Sequence, residues 1–505
     1  MSMMELVERY RDEIAGVLSC VDRLILQGRI GVFSYADGMT RYLTARGIKI
    51  FDFIKWAGPA TEALKKHVEA LAVQAGLEVD FVRKKNFRKE QRIEEVLKKR
   101  GRHPGLVWIF SALEPCTTYA PKYSPKRKTY LVAKDKKCLH YYFYFIDEEF
   151  GLCYLRVPTW APFRLQFYCN LHNWLARQCN QAGIEHQLLD NAFVKIADWA
   201  KAQEIADGFE VAKLHAKLEQ WVKQFCPALQ QFEENHNWTL DTVEYATDVV
   251  FHRQADLQGM YGGWVRTAIH TVKPQDIATF LGKKLNGNYQ GEMGNRYNTR
   301  IEGTRIRHSM GMVSIKMYDK FGQILRIETT VKDVTFFRHY REVEQRDGNK
   351  VYQWAAMKKT IYSLGALREV TAASNRRYLA LVMQLEDPRA SLEKLDRVTQ
   401  KAVENQRSYR GFNFFDEEDR KVLESIGQGE FCISGMQNKT LRKLLPGRST
   451  QQVSRTIKRL RTHGLVKKTA RSYKYYLTPL GREVVAAGLR LKQFEILPEL
   501  AKKAA

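Results

Sequence analysis

Apolar residues recur at helical spacing over Val453, Thr456, Ile457 and Leu460, behind Ser449 and with Gln452 three residues after it. That is a capping box followed by one buried stripe, and it predicts a helix whose other face carries Gln451, Gln452, Arg455, Lys458 and Arg459. Gly464 ends the helix, since only glycine takes the left-handed terminating conformation without cost. Leu465-Val466, a basic turn with Lys467, Lys468 and Arg471, and the alternating Tyr473, Tyr475 and Leu477 predict a two-stranded ribbon. Thr478-Pro479 opens another helix. Upstream, Asp416 caps a helix carrying Val422, Leu423 and Ile426, and Leu441, Leu444 and Leu445 mark one more. A boundary near Phe412 separates this segment, 412–505, from the rest.

Elsewhere the pattern alternates between the two periods. Met1 to Leu26 reads as a helix, Gly47 to Phe53 as a strand, Thr61 to Ala75 as a helix and Leu77 to Arg83 as a strand. This order predicts a small α/β domain over 1–103. Leu106 to Leu113, Cys138 to Ile146 and Leu152 to Thr159 are strand-like, and Pro162 to Ala182 is helical. With a fourth strand over Glu185 to Phe193, they predict a mixed β-sheet and helix core over 104–197. Tyr119 to Lys137 reads as a basic loop containing Lys126, Arg127 and Lys128. The stretch 198–280 is read as helical, Gly282 to Arg300 as a polar loop, 281–386 as a hairpin-bearing continuation of the core, and 387–411 as a helical linker. The predicted fold class is α/β (α+β) and multidomain, with a mixed-sheet body, a long helical region and a separate C-terminal domain.

Charge narrows the partners. The 505 residues include 82 Lys+Arg against 56 Asp+Glu, a formal net charge of +26. Such an excess favours a polyanion, DNA or RNA. No apolar run approaches the ~18 residues of a membrane-spanning helix, and no signal peptide is evident, so the expectation is a cytoplasmic protein with no membrane partner. The 8 cysteines form no secreted-type framework. Cys138-x-His140 and Cys169-x-x-His172, with Cys116 and Cys153, lack the spacing of a zinc knuckle or finger, so buried structural cysteine is expected rather than zinc. No phosphate-binding glycine motif occurs in a strand–helix context, so no nucleotide cofactor is expected. Oligomeric state is not readable.

Candidate chemistry lies in the hairpin Val313 to Tyr318 and Gln323 to Val331. Alternation places Lys316 and Tyr318 on one face of the first strand and Arg326 and Glu328 together on the second. With His308 close by, the lysine and arginine would hold a phosphate while Glu328 positions a divalent cation, Mg²⁺ or Mn²⁺. A cross-strand Lys316–Glu328 pair on a wet face is the competing reading. The string Lys316-Met317-Tyr318-Asp319-Lys320 with Leu325-Arg326-Ile327-Glu328 resembles strands of some rolling-circle replication initiators, although that family's histidine-hydrophobe-histidine motif is absent.

Two other resemblances bear on function. The three strands, helix and fourth strand of 104–197 resemble the start of an RNase H-like nuclease core. That resemblance implies metal-binding acids at Glu114 and Asp190. The run Val453-Ser454-Arg455, Leu460-Arg461, His463-Gly464-Leu465-Val466, Tyr476-Leu477-Thr478 and Gly481-Arg482 resembles the recognition helix and wing of bacterial winged-helix regulators. It implies a helix in a DNA major groove and a basic wing on phosphates. Together these imply a protein of mobile-element type, similar to transposases or replication initiators, that cuts or processes DNA strands with a divalent metal. The alternative is a non-enzymatic winged-helix regulator or a structured-RNA-binding protein.

Overall fold

The computed structural model describes residues 8, 10–84, 86–232, 235–270, 272–285, 291–300, 303–383, 398–428, 431, 435–469 and 472–490. The chain forms two compact units, each assembled from separated stretches of sequence. The central unit is Leu18–Ala246 with Thr330–Glu369, and the terminal unit is Met1–Val17, Thr247–Thr329 and Val370–Ala505. Both mix helix and sheet, so the fold is α/β and multi-unit.

The central unit begins on β1 (Ile14–Ile30), where a helix was expected. Leu18, Cys20, Leu24, Leu26 and Ile30 are buried at period two, but Val21 and Ile25 on the opposite face are buried as well. A strand covered on both faces loses its clean alternation, and apolar residues at 14, 18 and 21 then imitate a helical stripe. After α1 (Ala36–Ala45) and α2 (Phe53–Gln74) comes β2 (Val79–Phe81), and α3 (Lys89–Arg100) leads into β3 (Gly105–Ser124). β4 (Lys128–Asp147) pairs antiparallel with β3 along its whole length, from Gly105↔Ile146 to Ser124↔Lys128. The expected loop Tyr119 to Lys137 is therefore the far half of a long ribbon. Pro and Lys residues weaken its strand signal, and the ladder to the aromatic half overrides them.

β5 (Gly151–Pro158) and β6 (Leu165–Asn170) complete an antiparallel run, β1-β6-β5-β4-β3, beyond which β2 pairs with β3. α4 (Leu171–Gln181) starts at Asn170, whose side chain accepts from the His172 N–H. β7 (His186–Leu189) pairs with β8 (Ala192–Ile196) in a separate ribbon. This overturns the RNase H-like reading: the fourth strand leaves the sheet, and the parallel neighbour of β3 is β2 instead. α5 (Trp199–Asp207) and α6 (Val211–Phe225) are helical as expected, but β9 (His236–Phe251) is a strand. Its run Tyr245 to Phe251 is buried without a break, and buried helix and buried strand look alike by periodicity.

In the terminal unit α7 (Gln254–His270) and α8 (Pro274–Phe280) precede β10 (Met293–Arg300), β11 (Gly303–Met310), β12 (Val313–Lys320) and β13 (Ile324–Val331). The order is β10-β11-β12-β13-β9. The second half of the expected polar loop Gly282 to Arg300 is thus an edge strand. Within 387–411, the described part holds a short ribbon, Ala402–Glu404 with Arg407–Tyr409, where a helix was expected.

The C-terminal segment follows its sequence pattern closely. Helices run over Glu417–Ile426, Asn438–Leu444, Thr450–Thr462 and Pro479–Arg490, with a ribbon Val466–Lys468 against Tyr475–Leu477. The Ser449–Gln452 capping box is formed in both directions, and Gly464 has φ +72°. Val453, Ile457 and Leu460 bury against Val422, Leu441 and Leu477, each contributing about 1.5–3 kcal/mol. No helix among the described residues is long and apolar enough to cross a membrane.

Candidate functional site

In the terminal unit, one face of the strands β10 to β13 gathers charge. Cross-strand pairing aligns Arg296 with Arg307 and Arg307 with Lys316. Paired residues point to the same side, so Arg296, Arg307 and Lys316 form one basic row. Arg305 lies two residues from Arg307 on that side. Arg307 is half-buried and its Nε–H is buried without an acceptor. At the end of the row stands Glu328, 3% exposed. Lys316 Nζ donates to its Oε1 at 2.5 Å and Tyr318 Oη to its Oε2 at 2.8 Å. Lys316, Tyr318 and Glu328 therefore come together as alternation requires, but on a buried face rather than a wet one.

Arg326 and His308 depart from expectation. Arg326 is fully buried, with Nε 2.6 Å from Asp248 Oδ1 and Nη2 2.7 Å from Oδ2, a forked pair that closes it to phosphate. His308 pairs with Ile315 and so faces away from Lys316. It contacts Asn295 Oδ1 at 2.8 Å and Tyr378 Oη at 3.1 Å, and burial pulls its pKa down to about 4. A neutral, enclosed imidazole on the opposite face is a core histidine, which corrects the placing of His308 beside Glu328. Glu302 lies outside the described residues.

In the central unit, an acid stands on the buried face of β1. Asp22 is 3% exposed. Asn170 Nδ2 donates to its Oδ1 at 2.7 Å, and Asn191 Nδ2 reaches Oδ1 at 2.6 Å and Oδ2 at 2.7 Å. His172 Nδ1 lies 3.3 Å from Oδ1. A carboxylate oxygen of Glu244, on β9, is within 4.8 Å of one from Asp22. Thr330 Oγ1 donates to Glu244 at 3.4 Å, and Thr330 follows Glu328 by two residues on the same face of β13. Sequence reading missed Asp22 and Glu244. The signal that could have found them was an aspartate in phase with Leu18, Cys20, Leu24 and Leu26, visible only once β1 is read as a strand. Two close carboxylates, here one buried and one half-buried, repel unless a cation or proton intervenes. Their all-oxygen donor set suits a hard divalent ion, Mg²⁺ or Mn²⁺.

Glu114 and Asp190 do not form such a pair. Glu114 accepts from Tyr142 Oη at 2.6 Å, Arg156 Nη2 at 2.7 Å and Lys89 Nζ at 3.4 Å. Burial raises its pKa, but the tyrosine bond and the two cations outweigh this and leave it below the ordinary glutamate value. Asp190 sits at positive φ (51°) in the exposed β7–β8 turn, beside a cleft of about 440 Å³ with Arg102 and Arg177. Since β7 is not part of the sheet that holds β3, the shared metal site expected of these two acids loses its geometric basis.

The C-terminal helix Thr450–Thr462 exposes Gln451, Gln452 and Arg455, while Lys458 and Arg459 are engaged. Lys458 Nζ and Arg461 Nη2 both reach Glu404 Oε1 at 2.8 Å. Hydrogen bonds from Lys458 and Thr462 outweigh burial and draw the Glu404 carboxyl down to about 2. Arg459 is turned inward onto Asp419 and Phe412. Lys467 and Lys468 are exposed on the ribbon, and Arg471 lies outside the described residues. Lys126, Arg127 and Lys128 form the exposed tip of the β3–β4 ribbon, where Arg127 pairs with Asp37 at 2.6 Å.

No family model and no curated protein matches the chain. Among solved structures, a rolling circle replication initiator protein from Geobacillus stearothermophilus aligns over 71% of this chain and 97% of its own, at 8% identity and a TM-score of 0.18. Superposition at that level supports no inference about fold or activity.

Proposed function

We propose that this chain binds DNA and cuts or processes its strands with a divalent metal, as a protein of replication-initiator or transposase type. The carrying observation is the close carboxylate pair of buried Asp22 and half-buried Glu244 in a protein of net charge +26. Like charges this close, one of them buried, are costly to keep without a counter-ion, and Mg²⁺ or Mn²⁺ is the ion oxygen donors select. When bound, such an ion polarises a phosphodiester and activates an attacking oxygen. The amides of Asn170 and Asn191 hold Asp22 in place. Glu328 is a further proposed acid of the same chemistry, oriented by Lys316 and Tyr318, and the row Arg296, Arg305 and Arg307 would hold the backbone.

The segment 412–505 is proposed as a winged helix. Its capped helix would present Gln451, Gln452 and Arg455 to base edges, with Lys467, Lys468 and Arg471 on phosphates. Lys126 and Lys128 would add a phosphate contact from the central unit.

Manganese titration of the full chain, followed by the Mn²⁺ electron-spin signal, tests the metal. Binding is expected in the wild type and lost in Asp22→Asn and Glu244→Gln, together with cleavage of single- or double-stranded DNA. Cleavage that persists in both variants, or a wild type that binds no Mn²⁺, would sink the proposal. One observation favours a second reading, a non-enzymatic DNA- or RNA-binding protein: Lys316 and Tyr318 already satisfy both Glu328 oxygens without a metal. DNA affinity without any cleavage would establish it.

A further inference from the structure

Within the central unit, a cleft of about 260 Å³ opens on the face of the sheet where β1, β6 and β5 lie side by side. Register places Gln27 opposite Gln166 and Gln166 opposite Arg156, so these three form one polar row across the strands. Arg29 and Arg164 stand one step further along. Asp22 and Glu244 are not among the residues that line it.

The arginines are only partly satisfied. Arg156 spends Nη2 on Glu114 at 2.7 Å, and Arg164 spends Nη2 on the Ser34 carbonyl at 3.1 Å. The Nε–H groups of both are buried without an acceptor. An unpaired buried donor costs about 1–3 kcal/mol, more when charged. Arg29 gives its Nε and Nη2 to Gln27 Oε1. Burial and the nearby charge of Arg164 both act to lower its pKa. The facing charges are three guanidiniums against Glu114 and Asp241, and Glu114 is already shared with Lys89. His140, buried in the lining, has its pKa drawn down to about 4 by burial and by Arg156. Trp160 lines the cleft and is half-buried.

We propose that this cleft is an anion site for a phosphate group carrying one nucleoside, either a free nucleotide or the terminal nucleotide of a strand. An oxyanion between Arg29, Arg156 and Arg164 would occupy the two idle Nε–H donors and relieve the repulsion between Arg29 and Arg164. The volume, about 260 Å³, falls just below the ~300–1,000 Å³ of drug-sized ligand pockets, which favours a single phosphorylated unit over a longer segment. Trp160 would stack against the base, an arrangement tolerant of base identity. The site is independent of the metal reading, since its residues are not the carboxylates proposed there.

The test titrates the full-length protein with inorganic phosphate, a deoxynucleoside 5′-monophosphate, and a short oligonucleotide with or without a 5′-phosphate. Intrinsic tryptophan fluorescence, with Trp160→Phe as the control for this residue's share of the signal, and thermal shift are followed, without divalent metal. Phosphate and the mononucleotide are expected to bind and to raise the melting temperature. Arg164→Gln and Arg29→Gln should weaken both by at least about tenfold, the loss of one charge-assisted bond. Preference for the 5′-phosphorylated oligonucleotide assigns the site to strand ends, and preference for the mononucleotide assigns it to free nucleotides. Should either variant fail to fold, the wild type is challenged with sulfate against chloride at equal ionic strength, and sulfate should compete selectively. No binding by the wild type, equal affinity in folded variants, or no preference for sulfate would each overturn the proposal.

Discussion

Arg459 and Asp419 form a forked ion pair, with Nη1 2.6 Å from Oδ1 and Nη2 2.8 Å from Oδ2. The same guanidinium donates to the carbonyls of Arg410 and Gly411 and lies 3.9 Å over the Phe412 ring. Asp419 is 2% exposed, so this arginine holds the entry chain onto the helix Thr450–Thr462 and does not face a base. Arg459→Ala should therefore destabilise the segment by about 1–3 kcal/mol, by removing the forked partner of a buried carboxylate and leaving it only Arg410 Nη2 at 3.4 Å and the Asn413 N–H at 3.1 Å. Arg455→Ala, on the exposed face, should leave stability unchanged and weaken DNA binding by ~1–3 kcal/mol if it reaches bases. Chemical denaturation and binding titrations on both variants separate the two roles. A stable Arg459→Ala that loses only DNA affinity would reverse this assignment.

Glu328→Gln keeps size and removes the charge. If Glu328 serves the proposed chemistry, cleavage should fall at least about 100-fold, the size of one electrostatic contribution in an active site. Part of any stability change comes from Lys316, whose side chain is 17% exposed and would lose its ion pair with Glu328. Lys316→Met in the same background should recover that stability without recovering cleavage. Full cleavage by a folded Glu328→Gln would make the β12–β13 hairpin scaffold.

Buried histidines set an acid limit. His140, His236 and His308 are each drawn down to about 4, first by burial. Unfolded, they titrate near ~6.5. Between those values the unfolded chain binds more protons than the folded one, so stability rises with pH there. It is fully present above the unfolded value and is lost as pH falls from about 6.5 toward 4. Melting temperature should drop over that window, and His308→Gln should make the drop shallower. An unchanged slope in that variant would mean His308 is not buried neutral.

The ribbon tip offers a binding test that does not touch the acids. Lys126→Glu with Lys128→Glu should lower DNA affinity and reduce the salt slope by about 0.9 for each phosphate that is no longer neutralised. Arg127 is a poorer choice, because it is tied to Asp37. Salt slopes identical in the double variant and the wild type would leave the tip as a solubilising end.

The C-terminal segment was legible residue by residue because its helices are short, amphipathic and locally punctuated. Ser449, Gln452 and Gly464 start and stop the helix Thr450–Thr462 through bonds to their near neighbours, and such bonds are written in sequence order. The hairpin β12–β13 was legible for the same reason, since period two alone brings Lys316 and Glu328 to one face. The sheet of the central unit was not. β1 buries Val21 and Ile25 as well as its core face, and β9 is buried without a break over Tyr245 to Phe251, so in those stretches the hydrophobic pattern carries no period to choose strand over helix. The pairing that settles it, Leu24 with Cys169 for example, joins positions far apart in the chain. Asp22 could be seen as a candidate residue only after that pairing placed Asn170 beside it. Arg459 shows the converse limit: on the helix it sits among exposed positions, and only the fold of residues 410–419 over it turns a cation toward the core. Local bonding and periodicity were properties of the sequence itself, whereas the choice among partners for each charge belonged to the tertiary structure, because burial decides which charges must be paired.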